Sequence, residues 1–198
     1  MNRYSFLTDT YATERQKTLG VWAMFLDSEM SWRPEARGRS VLEQMVHQCV
    51  SEDYWMKTFL GIDVTAARLP AAETRLEFLR TYAAASGQRL EKLQSMPESW
   101  FEESRTFFDV MRSRAWILVR RIAHSAHHRG QLTTYLRALG HDLYSTYGPT
   151  ADTGGLFQSG APVIYQYPNI DSLLATEVRG GGGPPLPGPG ENPSTERP

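Results

Sequence analysis

Four stretches of the chain carry apolar residues at helical spacing, and each is bounded by proline, glycine or a capping residue. The first runs from about Ser5 to Phe25, with Leu7, Tyr11, Trp22 and Phe25 on the pattern, and stops before the turn residues Trp32, Pro34 and Gly38. The second begins at Ser40, whose hydroxyl can cap the helix while Glu43 reaches back to the cap amide, a capping box. Its apolar stripe holds Leu42, Met45, Cys49, Met56 and Leu60. The third starts after Pro70 and runs from about Thr74 to Met96, with Leu76, Leu79, Leu90 and Leu93 as contacts, Gly87 as a weak point and Pro97 as its stop. The fourth, about Arg112 to Leu139, ends at Gly140, which the pattern makes a left-handed cap.

At about 100° per residue, Ile117, His124, His128, Leu132, Tyr135 and Leu139 of the fourth stretch share one stripe, while Val119, Arg129, Thr133 and Arg137 lie elsewhere. Two histidines therefore face the core. Residues 100 to 111 read as a loop, with Thr106 to Val110 open to an extended reading or to an early turn of the next helix. After Gly140 the residues become turn-forming and aromatic, an irregular extension that ends in a short helix from Ile170 to Val178. From Arg179 the Gly/Pro run has nothing to bury and reads as a disordered tail. The expected organisation is all-α: a helical bundle with the site in residues 1 to 140, an extension in 141 to 178 that packs on the bundle or on a partner subunit, and a tail in 179 to 198.

Composition narrows the function classes. With 198 residues and a 40% hydrophobic share, the chain can bury one sizeable core. Cys49 is the single cysteine and cannot pair internally, and the N-terminus has no unbroken apolar run, so a reducing cytoplasm is expected. No apolar stretch approaches the roughly 20 residues of a membrane span, so no membrane partner is expected. A formal net charge of -1 lacks the footprint of phosphate-backbone binding, and the cluster Arg112, Arg114, Arg120 and Arg121 reads as a solvated helix face.

The candidate chemistry sits on the fourth stretch. His124 and His128 are one helical turn apart, with Cβ atoms about 5 to 6 Å from each other, so both rings can reach one ion. Ser125 occupies the place that the glutamate of an H-E-x-x-H helix would fill. Pattern alone leaves His47 to one side of its stripe, with Ser51, Tyr54 and Glu43, as an ordinary partly buried histidine. Cys49, on the apolar stripe, reads as a core residue.

The run His124-Ser125-Ala126-His127-His128-Arg129-Gly130-Gln131-Leu132 resembles the H-x-x-x-H-R-G-Q-L signature of the DinB/YfiT-like metalloprotein superfamily. Trp32, Pro34 and the Ser40 cap, and Trp55 downstream of His47, stand where members often carry such residues, and the match spreads over roughly residues 1 to 140. The resemblance implies an antiparallel four-helix bundle, often a homodimer, with a divalent metal at one end held by His47, His124 and His128. Zinc comes first among the metals, ahead of nickel, iron and manganese. His127 then flanks the site and His141 is a surface or loop residue. Gln131 and Arg121 lie one turn from the histidines, where they could hydrogen-bond a ligand, and Glu43 could orient the His47 ring.

Three neutral imidazoles leave an ion with an open position, the arrangement of catalytic rather than structural sites. Family analogy favours a transferase that activates a low-molecular-weight thiol cosubstrate toward a small-molecule electrophile. Hydrolysis by metal-bound hydroxide is a second reading, although no general base is evident. A metal-binding stress or interaction protein without turnover is the third.

Overall fold

The computed structural model describes residues 2–191, so residues 192 to 198 of the expected tail lie outside the described residues. Helix α1 spans Ser5–Ala23. Helix α2, Val41–Trp55, opens on the expected capping box: the Glu43 amide donates to Ser40 Oγ at 3.2 Å and the Ser40 amide to Glu43 Oε2 at 2.7 Å. It continues without a break into a π-helical turn, Met56–Leu60, which Gly61 closes at φ 72. Helix α3, Arg75–Gln94, is capped by the Thr74 hydroxyl, and helix α5, Arg114–Ala138, is followed by Gly140 at φ 85.

The four long helices bury their apolar stripes together. Leu19, Trp22 and Phe25 of α1 and its end meet Met45 and Cys49 of α2, Phe78, Leu79 and Tyr82 of α3, and Leu132 and Leu136 of α5. A second cluster, with Leu7, Met56, Leu60, Leu93, Phe101 and Ile117, fills the other end. Each such buried side chain stabilises the fold by about 1.5–3 kcal/mol. Helix α1 packs on α3 and α5, and α2 packs on α5.

Two buried charge networks pin these helices. Glu52 of α2 accepts from the Tyr11 hydroxyl at 2.6 Å, the Tyr82 hydroxyl at 2.9 Å and Arg89 Nη1 at 3.3 Å, which ties α2 to α1 and α3. Arg89 Nη2 also reaches Asp53 at 2.9 Å. The second network corrects the pattern on α5. Arg129, placed off the apolar stripe, is only 1% exposed. It pairs with Glu14 of α1, donates to Thr18 Oγ1 at 3.1 Å and bonds the Tyr147 hydroxyl. Its partner is a carboxylate more than a hundred residues away, and a hydrophobic pattern carries no trace of that.

The segment read as a loop is structured. Pro97 precedes helix α4, Glu98–Glu102, which leads into strands β1, Ser104–Phe107, and β2, Val110–Ser113. The strands pair antiparallel with Phe107 opposite Val110, leaving Phe108 and Asp109 as a two-residue turn. The protein is therefore predominantly helical rather than purely so. Phe108 has φ 54, the only positive φ outside glycine among the described residues. Such turns favour glycine or asparagine, and a β-carbon there costs about 1–2 kcal/mol.

The extension packs on the helices. Leu143, Tyr167 and Leu173 join the first core cluster, and helix α6, Ile170–Glu177, lies against α1 and α3. Gln16 Nε2 donates to the Pro168 carbonyl at 2.9 Å. The described part of the Gly/Pro segment follows: the Gly188 amide donates to the Asp152 carbonyl at 2.9 Å and the Tyr144 hydroxyl to the Pro184 carbonyl at 2.8 Å. As expected of its composition, none of residues 180 to 190 is buried, but their backbone is hydrogen-bonded to the extension. Among the described residues no helix is long and apolar enough to cross a membrane.

Candidate metal centre

Helices α2 and α5 pack against each other and bring His47 to His124 and His128. His47 Nε2 lies 3.0 Å from His128 Nε2, which in turn is 3.3 Å from His124 Nε2. One nitrogen from each ring falls within 4.8 Å of the others, a group of a kind that could hold a metal ion. Two nitrogens on a tetrahedral ion with Zn–N bonds of about 2.0–2.1 Å stand about 3.3 Å apart, so the observed spacings fit such an ion.

The protonation states suit the same use. Burial, helped by the Arg121 cation and the other histidines, lowers His124 to about 3. Burial also lowers His128 to about 4, with His47 and His127 adding to it and the Gln131 bond opposing it. His47 is lowered by burial and by Arg39 and Arg121. Among the described residues the cluster holds histidines alone, and the three rings are neutral at pH 7. His128 Nδ1 donates to Gln131 Oε1 at 2.8 Å, which leaves its Nε2 unprotonated toward the cluster. Gln44 Nε2 donates to the same Gln131 oxygen at 3.0 Å and so fixes the amide. His124 Nδ1 is buried without a hydrogen-bond partner.

The surrounding residues divide the sequence expectations. Gln131 does hold a histidine. Arg121 is 1% exposed, donates to Ser51 Oγ at 3.0 Å and Ser125 Oγ at 2.9 Å, and lies 5.6 Å from the Trp55 ring centre. Glu43 does not orient His47: beyond its capping bond, its carboxylate accepts from Arg33 at 3.1 Å. His127 is exposed and outside the cluster, with its ring 5.0 Å from that of His128. His141 turns instead to Glu29, 2.7 Å from its Nε2. Cys49 is buried, and burial first and then Glu52 push its thiol up.

One neighbour was not singled out by sequence. Gln44, one turn before His47, supports Gln131, and its spacing on α2 was the available signal. The Trp55 ring lies 5.5 Å from that of His124, at a tilt of 35°.

The fold and sequence both have relatives. The chain resembles the crystal structure of a DinB-like protein from Bacillus cereus, with a TM-score of 0.62 and 18% identity, covering 73% of this chain and 100% of that one. It also resembles a DinB-like protein from Bacillus subtilis, with a TM-score of 0.56 and 15% identity over 69% of this chain and 93% of that one. At these identities the likeness shows the fold. No curated protein matches the chain. The model of the DinB family matches residues 2–155, which takes in α1, α2, α3, α5, all three clustered histidines and the first part of the extension, and the chain therefore belongs to the DinB family.

Proposed function

We propose that His47, His124 and His128 bind one divalent metal ion, zinc first, and that the site activates a low-molecular-weight thiol toward a small electrophile. The observation that carries the reading is the convergence of three Nε2 atoms, 3.0 and 3.3 Å apart in the two close pairs, in a cluster that among the described residues contains no Asp or Glu. When bound, the ion would supply a double positive charge at an open coordination position, which favours the thiolate over the thiol. Gln131 holds the His128 proton on Nδ1, and Arg121 adds a fixed cation beside Trp55.

The acid-free surroundings favour a thiol over water as nucleophile. Metal-bound hydroxide forms without a separate base, but a base near the ion would speed hydrolysis. The nearby α2 carboxylates are engaged elsewhere, Glu43 with Ser40 and Arg33, and Glu52 with Tyr11, Tyr82 and Arg89. In this reading the four long helices form an antiparallel four-helix bundle, and the protein works as a cytoplasmic homodimer.

The test is metal analysis of protein purified without chelator or nickel resin, followed by assay with glutathione, cysteine, mycothiol and bacillithiol against an epoxide and a haloarene. Alanine at His47, His124 or His128 should abolish stoichiometric metal, whereas His127→Ala and His141→Ala retain it. Metal-dependent ester hydrolysis with every thiol silent replaces the transferase by a hydrolase. Silence in both assays with metal fully bound leaves a metal-binding protein without turnover.

A further inference from the structure

We propose that Trp55, Phe59, Phe107 and Phe108 form an aromatic shelf beside the histidines that receives the planar ring of an aromatic small-molecule substrate. The proposal rests on the metal-site reading above and narrows its substrate class.

Trp55 links the two regions. On one side its ring is 5.5 Å from His124; on the other it is 5.0 Å from Phe107 and 6.3 Å from Phe108. Phe59 sits 4.9 Å from Phe107 and 5.0 Å from Phe108, so the four rings are contiguous. Phe59 and Phe107 are buried and serve the core, which explains them without a ligand. Phe108 is different. Its side chain is 63% exposed and its backbone sits at φ 54, where glycine or asparagine would be at ease. A phenylalanine there gives up backbone comfort for little burial, so the core does not account for it. A molecule covering Phe108 would do so.

The position of the ring identifies the occupant. Phe108 is two ring contacts from His124, through Trp55, at centroid steps of 6.3 and 5.5 Å, so a ligand that offers its donor atom to the histidines and carries a ring along Trp55 would extend toward it. The neighbouring rings meet Phe108 at steep angles, 79° for Trp55 and 74° for Phe107, and present edges and faces of the sort that aromatic guests pack against. The β1–β2 turn carries this ring as the outer rim of the shelf.

The experiment titrates imidazole and 4-phenylimidazole, which share a metal-seeking nitrogen and differ by one ring, into zinc-loaded protein while the Trp55 indole N–H is followed by NMR. The phenyl probe should bind roughly tenfold more tightly and shift Trp55, as burial of part of one ring warrants. The Phe108→Gly variant keeps the turn, because glycine accepts φ 54, and should hold its zinc and melting temperature while the preference falls at least about threefold. Equal binding of the two probes, or a preference that survives Phe108→Gly, overturns the shelf. Conversion of a dimer to a monomer by Phe108→Gly also overturns it, by identifying a subunit interface. Failure of zinc to load removes the metal reading alone. The shelf is then judged on the metal-free protein, where 4-phenylimidazole must still shift Trp55 more than imidazole does.

Discussion

Replacing Glu52 by glutamine keeps the shape of the side chain and removes the negative charge on which three buried groups converge. Burial and Glu52 push the Tyr11 and Tyr82 phenols well up, so both hydroxyls act as donors to the carboxylate at 2.6 and 2.9 Å. Hydrogen bonds to a charged group contribute about 1.5–3 kcal/mol against about 1 kcal/mol for neutral pairs, so two such exchanges cost about 1–4 kcal/mol. Arg89, 1% exposed, loses its Glu52 partner but keeps Asp53 at 2.9 Å, which holds the further cost to the low end of that for a broken buried pair. The sum is about 4–7 kcal/mol, or roughly 8 to 28 °C in melting temperature for a chain of this size. Urea unfolding followed by helical circular dichroism measures it, with an unchanged m-value expected. Tyr82→Phe, which removes one hydroxyl, should cost about 1.5–3 kcal/mol. A loss below about 1 kcal/mol for Glu52→Gln would refute the argument, since Asp53 and solvent would then replace the carboxylate.

Three further outcomes are expected. The metal-free protein should lose stability as pH falls below about 6.5, because the unfolded chain takes up protons there while burial keeps the folded His124 at about 3 and His128 at about 4; thermal melts between pH 7 and pH 4 test the sign. Gln131→Leu should weaken zinc affinity about 10- to 100-fold in a competition titration, since it removes the acceptor of the His128 Nδ1 proton, and should also lower the melting temperature, since Gln44 Nε2 loses the same acceptor. Gly183→Ala should release residues 182 to 190, because a Cβ there would collide with the Tyr144 ring and with Gln166 Cγ at 2.9 Å; faster amide exchange at Gly188 reports it, and unchanged exchange rejects the docking.

Helical periodicity located the four long helices, and local chemistry located their ends, as at Ser40, Thr74 and Gly140. The spacing of His124 and His128 was legible because both lie on one helix, where four residues make one turn. His47 was not, because its relation to that pair is set by how α2 packs on α5; only the resemblance to a family raised it. The same limit hid Arg129 and Glu52, whose partners lie across helix interfaces. The β1–β2 hairpin escaped for a local reason: its turn residues, Phe108 and Asp109, lack the glycine that normally announces such a turn.

The partners of α1 lie far along the chain: Arg129 meets Glu14 across 115 positions, and Gln16 bonds Pro168 across 152. During synthesis at about 5–20 residues per second, the first helix would wait roughly 6 to 23 s between the emergence of Glu14 and that of Arg129. Through that interval Leu19 and Trp22 have only α2 and α3 to cover them, and Glu14 lacks Arg129. A helical protein of this size would ordinarily fold on local contacts and fast. This one brings its first helix to completion last, so its nascent chain offers chaperones and proteases an apolar helix for as long as α5 is unmade.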